Sequence, residues 1–185
     1  MDILLHICCG PCLIYPFSRL KEQGLRIRGY YYNPNIYPVS EYYRRVAALE
    51  ILRQGIALDV EYPENKESDF FQAIGTVEPV AQRCVSCWSL RLQKTAIQAK
   101  RNGFRSFSTT LLASPYQNHQ RLKQLGEQIS RQVEIDFYYE DFRIGFKQSQ
   151  IEAKHKGLYR QKYCGCRYSL KPIGEISSTL KAVEL

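Results

Sequence analysis

The chain of 185 residues is 44% hydrophobic and 24% charged, proportions ordinary for a globular protein long enough to bury a core, and 1–185 reads as a single domain. No run of about 18 apolar residues occurs, which excludes a membrane-spanning helix, and no basic leader precedes the first apolar stretch; the expected start is Met1 and the expected compartment the cytoplasm. Lys and Arg number 26 against 18 Asp and Glu, and the net charge of +8 suits a polyanionic partner such as nucleic acid.

The chain opens on an apolar strand, Ile3 to Ile7. A helix after Cys12 carries Leu13, Phe17 and Leu20 at helical spacing and stops at Gly24, before a strand over Ile27 to Tyr32. The plan repeats: a helix from about Glu41 carries Tyr42, Val46, Leu49 and Leu52 to Gly55, and a strand follows over Ile56 to Tyr62. A third helix, with Leu92, Ala96 and Ala99, ends at Gly103 ahead of a strand over Phe104 to Leu112. In each case the glycine supplies the left-handed residue that closes a helix. A helix with Leu122, Leu125 and Ile129 leads to an alternating fifth strand over Val133 to Tyr139, and Lys147 to Lys156 form a last helix stopped by Gly157. Alternation of this kind predicts a Rossmann-like α/β fold, a parallel sheet flanked by helices, with ligands at the carboxyl edge of its strands.

Seven cysteines fall in three places: Cys8, Cys9 and Cys12; Cys84 and Cys87; Cys164 and Cys166. An odd number in a chain of cytosolic type argues against a disulfide framework and for metal or redox work. The first group ends the first strand and opens a helix, whose positive end favours thiolates. Cys84 and Cys87 form a C-x-x-C at the expected start of a helix, a spacing that aims two sulfurs at one metal. Gly165 lets the chain turn between Cys164 and Cys166. Four thiolates satisfy either a structural zinc or a cubane cluster, and three are left for a second metal with an open position; residue chemistry alone leaves zinc and iron open. Cys9-Gly10-Pro11-Cys12 is also the thioredoxin tetrapeptide, but Cys8 and the other four cysteines have no task in a thioredoxin.

The stretches His6-Ile7-Cys8-Cys9-Gly10-Pro11-Cys12, Tyr32-Asn33-Pro34-Asn35-Ile36-Tyr37-Pro38, Arg83-Cys84-Val85-Ser86-Cys87-Trp88 through Arg91-Leu92, and Gly157-Leu158-Tyr159-Arg160-Gln161-Lys162-Tyr163-Cys164-Gly165-Cys166 carry a resemblance. With Thr109 to Leu112 and Ser114-Pro115, they make the chain similar, over nearly its whole length, to the cobalamin-independent epoxyqueuosine reductases. Trp88 stands where that family often has tyrosine. The resemblance implies an oxidoreductase that acts on tRNA bearing epoxyqueuosine at the wobble position and yields queuosine, with a 4Fe–4S cluster, a mononuclear iron and an electron donor. Zinc can replace iron in a preparation handled in air. Opening an epoxide to an alkene takes two electrons, and zinc has no redox chemistry to supply them. No phosphate-loop motif is present, so ATP use is not expected.

On this reading Cys9, Cys84, Cys87 and Cys164 hold the cluster and Cys8, Cys12 and Cys166 the iron, a split that permits exchange within each close pair. Glu140 and Asp141 follow the fifth strand and are candidate proton donors, against the plainer reading of a capping turn paired with Arg143. Tyr37, Tyr43, Arg44 and Arg45 follow the second strand on the ligand side, where aromatic and guanidinium planes can stack on unpaired bases. Arg83, Arg160 and Lys162 flank metal cysteines and are set either to bind phosphate or to offset thiolate charge. His6 reads as a packed histidine beside the cysteines rather than a ligand, while His119 and His155 read as solvated. Two readings of other kinds compete: a tRNA sulfur-transfer enzyme, and a zinc-stabilised RNA-binding module.

Overall fold

The computed structural model describes residues 2–76 and 80–169. Strand β1 (Asp2–His6) is buried from Ile3 onward, and a strand without a polar face belongs in the middle of a sheet covered on both sides. It pairs in parallel with β2 (Arg26–Tyr30) on one edge and β4 (Ser106–Thr109) on the other. Strands β3 (Val60–Glu61) and β5 (Asp136–Phe137) complete a five-stranded parallel sheet ordered β3-β2-β1-β4-β5. The chain steps outward from β1 to β3, then crosses back to β4. The gap between the ends of β1 and β4 is therefore the switch point where such sheets bind ligands.

Helices α1 (Gly10–Glu22), α2 (Val39–Gly55) and α6 (Phe146–His155) pack together on one face, while α4 (Val80–Arg101) covers β1 and β4 beside α5 (His119–Val133) on the other. The short α3 (Glu67–Ile74) lies against α4. Two 3₁₀ turns, 110–113 and 142–145, pack against each other after β4 and before α6. The architecture is the Rossmann-like sheet expected. Helix α1 closes as expected too: Gly24, at φ +73°, lets its own N–H reach Lys21 O and that of Leu25 reach Leu20 O.

The elements differ from expectation at their margins. Helix α2 does not turn at Gly55: the left-handed residue is Ala57, at φ 51°, and the same pair of bonds forms from Ala57 and Leu58. The third strand shrinks to two residues because 56–59 are spent on that closure. The fourth ends at Thr109, whose hydroxyl accepts from Leu111 N and bends the chain into the 3₁₀ turn. The fifth is Asp136–Phe137 alone, and α3 adds a helix to the expected elements. The C-x-x-C lies inside α4, beyond its first turn, rather than at a loop-to-helix start.

Candidate metal centre

The end of β1 delivers Cys8 and Cys9 to the switch point, and the first turn of α1 adds Cys12. The three sulfurs lie within 4.8 Å of one another, with Cys8 and Cys9 at 3.8 Å, and Cys9 and Cys12 are buried. Three soft ligands so close, enclosed and at a helix N-terminus fit a thiophilic metal. Hydrogen bonds from Cys12 and Cys9, then Thr110, hold Cys8 well below the usual thiol range. Burial raises Cys9, and the bonds to Cys8 and Cys9 raise Cys12.

A second set comes from the middle and the C-terminal part of the sequence. Cys84 and Cys87 share one face of α4, and Cys164 and Cys166 are near enough to raise the pKa of both; burial is the larger cause and puts Cys87 at about 11. Phe70, Phe71 and Ile74 of α3 roof Cys87 and Cys166. The opposing positive charge comes from Arg91, buried with Nε on Cys87 O at 3.1 Å, and from Arg83, buried with its guanidinium 4.6 Å over the Tyr168 ring.

The C-terminal loop is tied down by its backbone. Gly165, at φ +105°, accepts at its carbonyl from Tyr37 N–H at 2.8 Å and has no room for a side chain, since a Cβ would meet Ile36 Cγ1 at 2.9 Å. Arg45 donates to Tyr163 O at 2.9 Å, Cys164 O at 3.1 Å and Glu41 Oε1 at 2.8 Å. Arg45 is thus no RNA contact: it is 2% exposed, its donors are engaged, and it clamps the loop to α2. Tyr43 is 65% exposed, and Arg44 stands over the Tyr159 ring at 5.3 Å. Tyr37, partly exposed, stacks on Arg167 at 4.2 Å, and Arg160 and Lys162 are exposed on the loop.

Other expectations need correction. Glu140 is bound by Arg19 at 2.6 Å, Tyr138 at 2.8 Å and Gln23 at 3.2 Å, and these bonds outweigh burial to lower its pKa. Arg19 is seven residues beyond Cys12 on α1, about 10 Å along the axis at 1.5 Å per residue. Asp141 caps the 142–145 turn and is held at about 2, chiefly by Arg143. Both carboxylates are ionised at neutral pH and hold no proton to give. His119 is buried at the start of α5, 3.7 Å from Asp141, rather than solvated; His155 is exposed. His6 is the packed residue expected: Nδ1 meets Thr109 Oγ1 at 2.9 Å, Nε2 meets Tyr32 O at 3.1 Å, and burial lowers it to about 4. Gln161, whose Nε2 lies 2.7 Å from Cys9 Sγ, falls in one of the stretches that carry the resemblance, where the sequence alone gives it no role of its own.

Comparison with known proteins bears on this centre. The family described as epoxyqueuosine reductase QueH matches residues 3–172. The chain belongs to the epoxyqueuosine reductase QueH family. It is accordingly an oxidoreductase of queuosine biosynthesis. Relatives named epoxyqueuosine reductase QueH include one from Thermotoga maritima, 34% identical over 91% of this chain and 90% of its own. Another, from Dehalococcoides mccartyi, is 35% identical over 90% and 91%. One from Helicobacter pylori is 32% identical over 91% of this chain but 49% of its own. Among solved structures, a predicted subunit of tRNA methyltransferase from Methanocaldococcus jannaschii aligns over 83% of this chain and 76% of its own, with TM-score 0.54 and 10% identity, a likeness of fold alone. No helix among the described residues is long and apolar enough to cross a membrane.

Proposed function

We propose that this chain reduces the epoxide of epoxyqueuosine in tRNA to queuosine in the cytoplasm, using a 4Fe–4S cluster and a single iron held by its seven cysteines. The observation that carries the reading is the gathering of Cys8, Cys9 and Cys12 at the sheet's switch point, with Cys84, Cys87, Cys164 and Cys166 as a second group. Proximity favours three thiolates from Cys8, Cys9 and Cys12 on one centre, and the mutual electrostatics of Cys84, Cys87, Cys164 and Cys166 favour those four for the second. It differs from the division that puts Cys9 with Cys84, Cys87 and Cys164 on the cluster and Cys8, Cys12 and Cys166 on the iron, and anomalous scattering at the iron edge decides between the two. Such a pair of centres supplies electrons singly and a Lewis acid for the epoxide oxygen.

The protein's part is to seat and insulate. Arg91 and Arg45 offset thiolate charge where water is excluded, Phe70, Phe71 and Ile74 cover one flank, and the Arg45 clamp holds the loop that brings Cys164 and Cys166. Tyr37, Tyr43, Arg44, Arg160 and Lys162 form the exposed aromatic and basic rim for the anticodon loop, and an external donor supplies the electrons. Glu140 and Asp141, ionised at neutral pH, serve the fold rather than the proton transfer. Anaerobic reconstitution followed by iron and sulfide analysis, with an assay on epoxyqueuosine-containing tRNA, tests the reading. About five iron and four sulfide per chain with queuosine formed is the expected result. Zinc in place of iron under those conditions, with no reduction, overturns it.

A further inference from the structure

The thiols at the end of β1 receive hydrogen bonds from outside the cysteine set. The Gln161 amide Nε2 is 2.7 Å from Cys9 Sγ and 3.8 Å from Cys12 Sγ. Thr110 Oγ1 donates to Cys8 Sγ at 3.3 Å. The same hydroxyl accepts Cys8 N–H at 3.0 Å, so its oxygen is fixed by the backbone and its one proton is left for the sulfur. Thr110 is held at the first position of the 3₁₀ turn that ends β4, wholly buried. Gln161 reaches in from the C-terminal loop, three residues before Cys164, and its buried Oε1 has no hydrogen-bond partner among the described residues. An amide placed only for packing would direct its polar atoms to water or backbone; this one points its donor at sulfur and leaves its acceptor unused.

A hydrogen bond to a thiolate ligand withdraws charge from the sulfur. It stabilises the reduced, more negative state of a bound metal more than the oxidised state, and so raises the potential. We propose that Gln161 and Thr110 are positioning residues that set the reduction potential of the centre held by Cys8, Cys9 and Cys12, without being ligands themselves. The proposal rests on the reading that these thiols hold iron. It also ties the potential to the seating of the C-terminal loop, because Gln161 arrives on the loop that Arg45 clamps.

The test uses anaerobically reconstituted full-length protein and redox titration followed by electron paramagnetic resonance. Gln161→Leu and Thr110→Val keep wild-type iron and sulfide content, and each midpoint moves to lower potential. A tenfold change in the oxidised-to-reduced ratio corresponds to about 59 mV for one electron. Thr110→Ser, which keeps the hydroxyl, titrates as wild type and separates hydrogen bonding from packing. Iron-replete variants with unchanged midpoints overturn the proposal, and so does loss of one iron in Gln161→Leu, which would make Gln161 a ligand. Wild-type protein that takes up no iron overturns the underlying reading and the proposal together.

Discussion

Replacing Arg45 with methionine isolates the clamp on the C-terminal loop. The substitution keeps most of the side-chain volume on α2 but removes the cation facing Glu41, which is fully buried. Stranding one member of a buried ion pair costs about 3–5 kcal/mol. Glu41 retains the Tyr159 hydroxyl at 2.6 Å and Arg44 at 3.0 Å, which places this case at the lower end, about 3 kcal/mol. The carbonyls of Tyr163 and Cys164 add little, because Cys164 is exposed and water can replace the lost donors. With a urea m-value of about 2 kcal/mol per molar, the midpoint falls by about 1.5 M at unchanged slope. Glu41→Gln combined with Arg45→Met removes the stranded charge and recovers part of the loss. Trypsin provides an independent readout, since Arg160 and Lys162 are exposed on the loop that Arg45 holds. Cleavage there accelerates in Arg45→Met. A midpoint shift below about 0.5 M, or a double variant no more stable than the single, refutes the buried pair, and unchanged trypsin cleavage refutes the clamp.

Glu140→Gln and Asp141→Asn leave turnover at pH 7 within about twofold of wild type, whereas removing a true general acid costs ~100-fold or more; steady-state assays on modified tRNA decide this. Asp141 also has a pH signature: its folded pKa of about 2 lies below the ordinary 3.8, so its contribution to stability is full above pH 4 and is lost as pH falls toward 2. Melting temperatures of Asp141→Asn therefore fall short of wild type above pH 4 and converge with it near pH 2, and a constant gap would contradict the assignment. Gly126→Ala would set a Cβ 2.2 Å from the Phe137 ring where α5 packs on β5; overpacking of about 2 kcal/mol lowers the melting temperature by about 4–8 °C.

The cysteines and the alternation of helix and strand are legible in the sequence because both are local patterns: a run such as Ile3, Leu4 and Leu5 needs no partner to identify itself as a central strand. What the sequence hides is set by partners far along the chain. Arg45 follows Tyr42, Tyr43 and Arg44 and so reads as part of a surface patch, although Glu41 four residues earlier offers the pairing signal of a helix face. Its burial depends on Tyr163 and Cys164, more than a hundred residues away. Gln161 and Thr110 lie within stretches that carry the family resemblance, but a glutamine and a threonine show no chemistry of their own until a fold brings them to sulfur. The end of α2 misleads for a different reason. Gly55 is available to close the helix, yet Ala57 takes the left-handed conformation, which seats Leu58 in the core more deeply than Ile56.

The positions of the cysteine groups also bear on how this fold would keep the two proposed metal centres, whose ligands would be spread from Cys8 to Cys166. Cys8, Cys9 and Cys12 are fixed by β1 and α1, and Cys84 and Cys87 by α4, all elements anchored in the sheet or its helical layers. Cys164 and Cys166 belong to a loop outside the sheet, held by Arg45, by the Gly165 carbonyl on Tyr37 N, and by Arg167 bonded to Glu67 and lying between the Tyr37 and Phe71 rings. Metal binding energy is shared with folding wherever ligands must be brought together. Under the proposed division it would fall mainly on ordering this loop. Arg160 and Lys162 of the proposed RNA-facing rim stand on the same loop, while Tyr37, Tyr43 and Arg44 stand on or just before α2, so metal loading would order the basic part of that rim and leave its aromatic part in place.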